Sequence, residues 1–222
     1  MRLFNGRDGE WLARIMVMER KAAQVQIYAQ TRPFAPVPDV WLLFAPVKKA
    51  RSAFIVEKAT ELGVRKIQGM ITRRTTARPL RPDRMARIAI EAAEQTGRLD
   101  VPQIVPELHL QAALKTWDET RLLIYCDEAG DDGARPWGGA AGRARPMLEA
   151  LQAMGEAPGK AAILIGPEGG FAPQERAHLR GLDFVLPVTL GPRILRADTA
   201  AIAALSLWQS VCGDWCAGHL PQ

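Results

Sequence analysis

Cysteine, histidine and tyrosine are scarce in this chain: three, three and two among 222 residues. Cys126, Cys212 and Cys216 are too few for a disulfide framework and suit a reducing compartment. Cys212, Cys216 and His219 offer three zinc ligands, but the fourth that a structural site needs is missing, so no metal is expected. Long apolar runs are lacking too. None approaches the roughly 18–20 residues of a membrane-spanning helix. No basic-then-apolar leader opens the chain, because Met1-Arg2-Leu3-Phe4-Asn5-Gly6 is already turn-like. The expectation is a cytoplasmic protein with no membrane partner. His109, His178 and His219 fall in no motif, and the tryptophans show no interleaving with basic residues that would mark a stacking platform for single strands.

What is present is ordinary globular material, 48% hydrophobic and 24% charged, long enough for one domain or two. The net charge of +5 hides an asymmetry. Residues 1–105 carry 19 Lys+Arg against 10 Asp+Glu, or +9; residues 106–222 carry 10 against 14, or −4. The densest basic stretch runs from Arg65 and Lys66 through Arg73, Arg74, Arg78, Arg81, Arg84 and Arg87, opposed only by Asp83. Such a stretch is either a phosphate-backbone footprint or a solvated surface; the preference for arginine over lysine favours the former.

Residues 10–18 and 23–29 alternate as strands, with Trp11, Ala13, Ile15 and Val17 on one face. A two-stranded hairpin alone is marginal in water and needs more strands or a neighbour. Three prolines among residues 30–39 mark a linker. Strands and helices then alternate. Strands are expected at Val40–Ala45, Val64–Thr72, Gln103–Val105, Leu122–Cys126, Ala161–Ile165 and Phe184–Leu190. Helices are expected at Lys49–Leu62 and Arg84–Gly97, both ended by glycine, and at Met147–Met154, Pro173–Arg180 and Thr199–Val211. Ala129–Arg145 reads as a loop. This order predicts an α/β domain with a mostly parallel sheet covered on both faces, over residues 40–216 after a 33–39 linker. Rules of connectivity alone would leave it unknotted and Rossmann-like.

The most informative stretch is Ile163-Leu164-Ile165-Gly166-Pro167-Glu168-Gly169-Gly170-Phe171. An apolar strand stops at Gly-Pro, and glycines follow that let backbone approach a ligand closely. The same design returns at Val188-Thr189-Leu190-Gly191-Pro192-Arg193-Ile194-Leu195-Arg196. Two such corners in tandem predict two loops walling one pocket at the carboxyl ends of neighbouring strands. No Lys-Ser or Lys-Thr pair follows the first glycines, which argues against a nucleotide phosphate loop.

These two runs, with Glu57-Lys58-Ala59-Thr60-Glu61-Leu62-Gly63-Val64 and Glu91-Ala92-Ala93-Glu94-Gln95-Thr96-Gly97-Arg98, resemble the RsmE family over most of residues 40–210. The resemblance implies a SPOUT-superfamily methyltransferase domain with a trefoil knot. It also implies an S-adenosylmethionine cofactor, a ribosomal RNA uridine-N3 as acceptor in the small subunit (16S), and a homodimer. It further implies that residues 1–32 are part of a PUA-like β domain that is longer in the family, so that this chain begins inside it. Alternatives are another SPOUT enzyme acting on a ribose 2′-hydroxyl or a different base, or a non-catalytic RNA-binding assembly factor.

The resemblance places the cofactor against Leu164, Ile165, Gly166, Pro167, Glu168 and Gly169, and against Leu190, Gly191, Arg193, Ile194 and Leu195. Glu168 then orients cofactor or uracil or takes the imide proton; alternatively it caps the helix from Pro173. Arg196, with Arg193, either stabilises an imide anion or pairs with Asp198 or Glu168. Arg73, Arg74, Arg98, Lys58 and Arg193 are the candidate RNA contacts; Lys58 has a surface helical pair as its other reading.

Overall fold

The computed structural model describes residues 1–215. Cys216 and His219, considered above as ligands, and the last residue of the expected 40–216 domain lie outside the described residues. A small antiparallel sheet comes first: β1 (Arg2–Phe4), β2 (Glu10–Met18) and β3 (Ala23–Arg32), in that order. Residues 33–38 form no regular element. The chain then alternates β4 (Val40–Phe44), α1 (Lys49–Glu61), β5 (Lys66–Ile71), α2 (Pro82–Thr96), β6 (Gln103–His109), α3 (Leu110–Lys115), β7 (Leu122–Cys126), β8 (Arg145–Pro146), α4 (Met147–Gln152), β9 (Ala161–Ile165), α5 (Pro173–Arg180), β10 (Val185–Thr189) and α6 (Ala197–Val211).

The seven later strands form one sheet, ordered β6-β5-β4-β9-β7-β10-β8, with every pairing parallel. A parallel sheet must be covered on both faces, and alternation along each strand sorts the side chains accordingly. Val40, Leu42 and Phe44 of β4 join Ile163 and Ile165 of β9 in a core shared with α1, α2, α4 and α6. Leu43, Leu164, Leu123 and Tyr125 point the other way, to Leu110 of α3 and Leu179 of α5. Each fully buried Leu, Ile or Phe among them stabilises by about 1.5–3 kcal/mol. Helix ends follow local chemistry. Pro82 and Pro173 occupy first turns, and Gly63 and Gly97 take φ of +77° and +66° just past α1 and α2.

The structure departs from the sequence expectations in bounded ways. The fifth strand begins at Lys66, because Val64 is buried in the core before the ladder starts. Strand β6 continues to His109 through Pro106, which an edge strand tolerates. Helix α3 and strands β1 and β8 were not expected; each spans six residues or fewer. In the small sheet, Ala13 is buried but Ile15 and Val17 are exposed, with register shifts after Leu12 and after Ile15. The Ile15–Val17 half of the anticipated apolar face therefore has no cover among the described residues.

Two ion-pair clusters fix the layout. At the amino end of the sheet, the buried Arg121 guanidinium donates to both Asp39 carboxylate oxygens and to the Ala161 carbonyl, and stacks 3.6 Å over Trp41. Burial alone would raise the Asp39 carboxyl; hydrogen bonds and charge from Arg121 outweigh it and hold the group below its ordinary value. Near the small sheet, Arg32 bridges Glu10 at 2.8 Å and the Gly97 carbonyl at 2.9 Å, so β3 is tied to the end of α2.

Candidate active site

Strands β9, β7 and β10 are neighbours, so their carboxyl ends bring three turns together. The first is the Gly166–Gly170 corner. Phe171 folds back so far that a Cβ on Gly166 would stand 2.5 Å from its ring, and the ring meets Tyr125 edge-on at 4.9 Å. Gly170 has φ +68° and donates to the Pro167 carbonyl at 2.9 Å, closing the turn. The N-terminus of α5 is capped by Glu175, whose oxygens accept the Ala172 N–H at 2.9 Å and the Arg73 N–H at 2.8 Å. Glu168 is thus not the cap. It is exposed, and no ion pair or hydrogen bond engages it among the described residues. Gly191, at φ +115°, turns the second corner, which leads through Ile194 and Leu195 to Arg196 at the N-cap of α6.

The third wall was missed in the sequence, where residues 129–145 read only as a loop. Asp127, 2% exposed, sits at the end of β7 between two guanidinium groups. Arg176 Nε donates to both of its oxygens (3.0 and 2.9 Å), and Arg180 Nε donates at 2.7 Å. The same two arginines reach Asp131 and the carbonyls of Ala129 and Gly142, so one buried carboxylate pins the whole segment to α5. Beside it, Glu128 accepts from the Leu190 N–H and the Thr189 hydroxyl. Burial pushes the Glu128 carboxyl above the ordinary range despite those bonds. The clue available in the sequence was position: Cys126-Asp127-Glu128 ends an apolar strand in an α/β chain.

The three turns enclose a cavity of about 970 Å³, lined among others by Ile165–Phe171, Asp127, Glu128, Trp137, Arg176 and Ile194–Ala197. This lies at the upper end of the about 300–1,000 Å³ usual for small-molecule sites. Of the expected cofactor residues, Ile165, Gly166, Pro167, Glu168, Gly169, Ile194 and Leu195 line it. Leu164 does not: it is fully buried on the α3/α5 face of the sheet. Leu190 and Gly191 shape the corner from behind, and Arg193 is exposed outside the lining. Arg196 does line the cavity, and it pairs with neither Asp198 nor Glu168; Asp198 faces Arg51 instead, at 3.8 Å. A cleft of about 1100 Å³ between β1 and α2 is larger but remote from both corners.

The candidate RNA contacts divide. Arg73, Arg78, Arg81 and Arg87 are exposed and without an ion-pair partner among the described residues. Arg74 is exposed too, but it donates to the Gly169 carbonyl at 2.9 Å and lines the cavity, so it belongs to the site's rim. Lys58 is drawn to Glu57 and Glu61 at 2.8 and 2.7 Å, whose hydrogen bonds raise its pKa, the surface helical pairing that was its other reading. Arg98 is a correction. Its side chain is 8% exposed and is spent on Asp100 and on the carbonyls of Thr60 and Val64, stitching α1 to the end of α2. Replacing Arg98 by Ala is expected to lower unfolding free energy by about 2–3 kcal/mol, because two buried carbonyls and a carboxylate lose their donor. The salt dependence of RNA binding should stay unchanged, and urea denaturation with filter binding checks both.

Gly166 allows a second test. Gly166→Ala must displace the Phe171 ring and should cost about 1–3 kcal/mol as an overpacking change. Gly169→Ala meets only Arg74 at an ordinary 3.7 Å and should be mild. Equal melting temperatures for the two variants would show that the Phe171 contact carries no weight.

A parallel sheet with a cavity at the carboxyl ends of neighbouring strands defines an α/β ligand-binding domain, and residues 35–209 match the family described as RNA methyltransferase domain. The chain belongs to this family, and within it to the ribosomal RNA small subunit methyltransferase E proteins, with a SPOUT-type fold. The ribosomal RNA small subunit methyltransferase E of Rickettsia conorii is 31% identical over 206 residues, covering 93% of this chain and 78% of that relative. The Synechocystis protein of the same name is 30% identical over 207 residues; the chain spans 92% of its own length but only 63% of that relative. The Neisseria gonorrhoeae enzyme of that name, solved bound to S-adenosylmethionine, superposes with a TM-score of 0.76 at 28% identity, covering 97% of this chain and 84% of that one. The small antiparallel sheet fits the PUA-like part of this layout.

Proposed function

We propose that this protein uses S-adenosylmethionine to methylate N3 of a uridine in small-subunit ribosomal RNA. The observation that carries the reading is the cavity itself. Backbone-rich glycine corners lie on two sides, and Glu168 and Arg196 stand unpaired on its lining. These residues suit the cofactor. Ile165, Ile194 and Leu195 offer an apolar slot for the adenine, the glycines allow close backbone contact, and the Glu168 carboxylate favours a cationic sulfonium. When bound, the cofactor supplies an electrophilic methyl group.

The chain's own residues must handle the acceptor. A uracil N3 carries a proton at neutral pH, and its lone pair becomes available as that proton leaves. Glu168, exposed and without a partner, orients the imide or accepts the proton. Arg196 faces the carbonyl oxygens, where a guanidinium stabilises the negative charge that develops. Arg74 stands at the mouth of the same site, while Arg73, Arg78, Arg81 and Arg87 present guanidinium groups to phosphates. Arg193, exposed beside the second corner, fits the RNA side better than the cofactor side.

The reading includes a cytoplasmic homodimer joined through the large domain. Helix α6 carries no charged residue over 200–211. Only part of it is buried in this chain; Ile202, Leu207 and Val211 remain half-exposed for a second copy to cover. The test is methyl transfer in vitro to small-subunit RNA, free and assembled, with the product nucleoside identified by mass spectrometry. Methyluridine modified on N3 is expected. A ribose-methylated product would point to the alternative acceptor, and RNA retention without transfer to an assembly factor.

A further inference from the structure

The Glu128 carboxylate has a task that neither the motifs nor the family assigns. It stands one residue past buried Asp127 and lines the cavity between the two corners. One oxygen accepts the Leu190 N–H at 3.1 Å, and the other accepts the Thr189 hydroxyl at 2.9 Å. Leu190 lies just beyond the last rung of β10, where Thr189 pairs with Pro146, so the sheet does not satisfy its N–H. Gly191 follows at φ +115°, a conformation with little intrinsic preference for this one direction.

We propose that Glu128 is the positioning residue of the second corner. Its carboxylate holds Thr189 and Leu190 so that the backbone from Gly191 to Leu195 stands ready for the cofactor. This rests on the reading of the cavity as the S-adenosylmethionine site. The two bonds bridge the end of β7 to the end of β10, and Asp127 bridges the end of β7 to α5. The two adjacent carboxylates therefore set the two sides of the cavity separately, Asp127 the 129–145 segment and Glu128 the second corner.

The arrangement is sensitive to protonation. The Leu190 N–H can only donate, whereas the Thr189 hydroxyl also lies 3.2 Å from the Gly191 carbonyl and can turn to donate there while accepting a carboxyl proton; protonation therefore replaces bonds to a charged acceptor by weaker neutral ones. The charged groups acting on it are Arg143, from the 129–145 segment, which favours the carboxylate, and Asp127, which disfavours it; Thr189 at the end of β10 and Leu190 just after it are uncharged. Burial outweighs the stabilising contacts, so the group titrates above the ordinary carboxylate range. With the bonds to Leu190 and Thr189 strongest to the ionised group, cofactor affinity is full above that raised value and falls as pH drops through it.

The test compares the parent protein with Glu128→Gln and Glu128→Ala, each checked for folding by thermal melting. Binding of S-adenosylhomocysteine is measured by calorimetry between about pH 5 and pH 8. Glu128→Ala should bind about tenfold or more weakly, as expected for loss of bonds to a charged acceptor. Glu128→Gln is neutral at every pH and imitates the protonated acid, so it should bind as the parent does at the acid end of the range and lose the acid dependence. The Leu190 amide resonance in the ligand-free protein gives a second readout, titrating in the parent and flat in Glu128→Gln. A folded Glu128→Ala variant that binds as tightly as the parent overturns the proposal, as does a parent Leu190 amide indifferent to pH. If the parent binds no S-adenosylhomocysteine at all, the cofactor reading fails, and the amide titration alone decides the role of Glu128.

Discussion

Arg196→Ala is expected to lower turnover at saturating RNA by about a hundredfold to a thousandfold, the scale of losing one preorganised group opposite a developing anion. The residue is suited to that effect because it lines the cavity at the start of α6 and is held by no carboxylate among the described residues. A group that acts mainly on the transition state changes kcat and leaves cofactor affinity nearly unchanged. Neutralising Arg78 and Arg87 should do the opposite, weakening RNA binding across sequences and reducing its salt dependence by roughly one to two phosphate contacts. Rapid-quench measurement of methyl transfer, with filter binding over a salt series, separates the two classes. If Arg196→Ala keeps full turnover but binds RNA weakly, Arg196 belongs with the phosphate contacts.

Asp127→Ala should be the most damaging single change to the fold around the site. The carboxylate is 2% exposed and accepts three bonds from Arg176 and Arg180. Removing it leaves Arg180 without a carboxylate and Arg176 with Asp131 alone, a loss of about 3 kcal/mol, the lower end for breaking a buried pair. The segment over 129–145 also loses its anchor, because the bonds of these arginines to Ala129 and Gly142 depend on the same orientation. Asp127→Asn retains an acceptor and should fall between Ala and the parent. Urea denaturation gives the stabilities, and limited proteolysis within 129–145 reports the release of the segment. Equal stability of Asp127→Ala and the parent would remove the cluster from the account.

The large sheet was legible because β4, β7 and β9 are continuous apolar runs, the mark of strands buried on both faces. Elements that broke this signal were misjudged. Pro106 hid the second half of β6, although an edge strand has room for a missing N–H, and six residues were too few for the period of α3 to show. Glycine and proline made both corners readable, since their backbone requirements are local. The roles of Asp127, Glu128, Glu175 and Arg98 were not readable, because their partners lie far off in sequence. Glu128 reaches Leu190, Glu175 reaches Arg73, and Arg98 reaches Thr60. Arg98 shows the hazard: in a basic half of the chain it read as an RNA contact, and only its burial revealed a structural tie. Glu168 shows the reverse. Its sequence position suited a helix cap equally well, and finding Glu175 in that place removes the capping alternative.

The most direct measurement of the central claim is nucleoside mass spectrometry on small-subunit ribosomal RNA from cells lacking this protein, with and without the gene restored. The account predicts that uridine methylated on N3 disappears from one position and returns with the parent gene but not with Arg196→Ala. An unchanged level of that nucleoside in the deletion strain, or its replacement by loss of a ribose-methylated one, would contradict it.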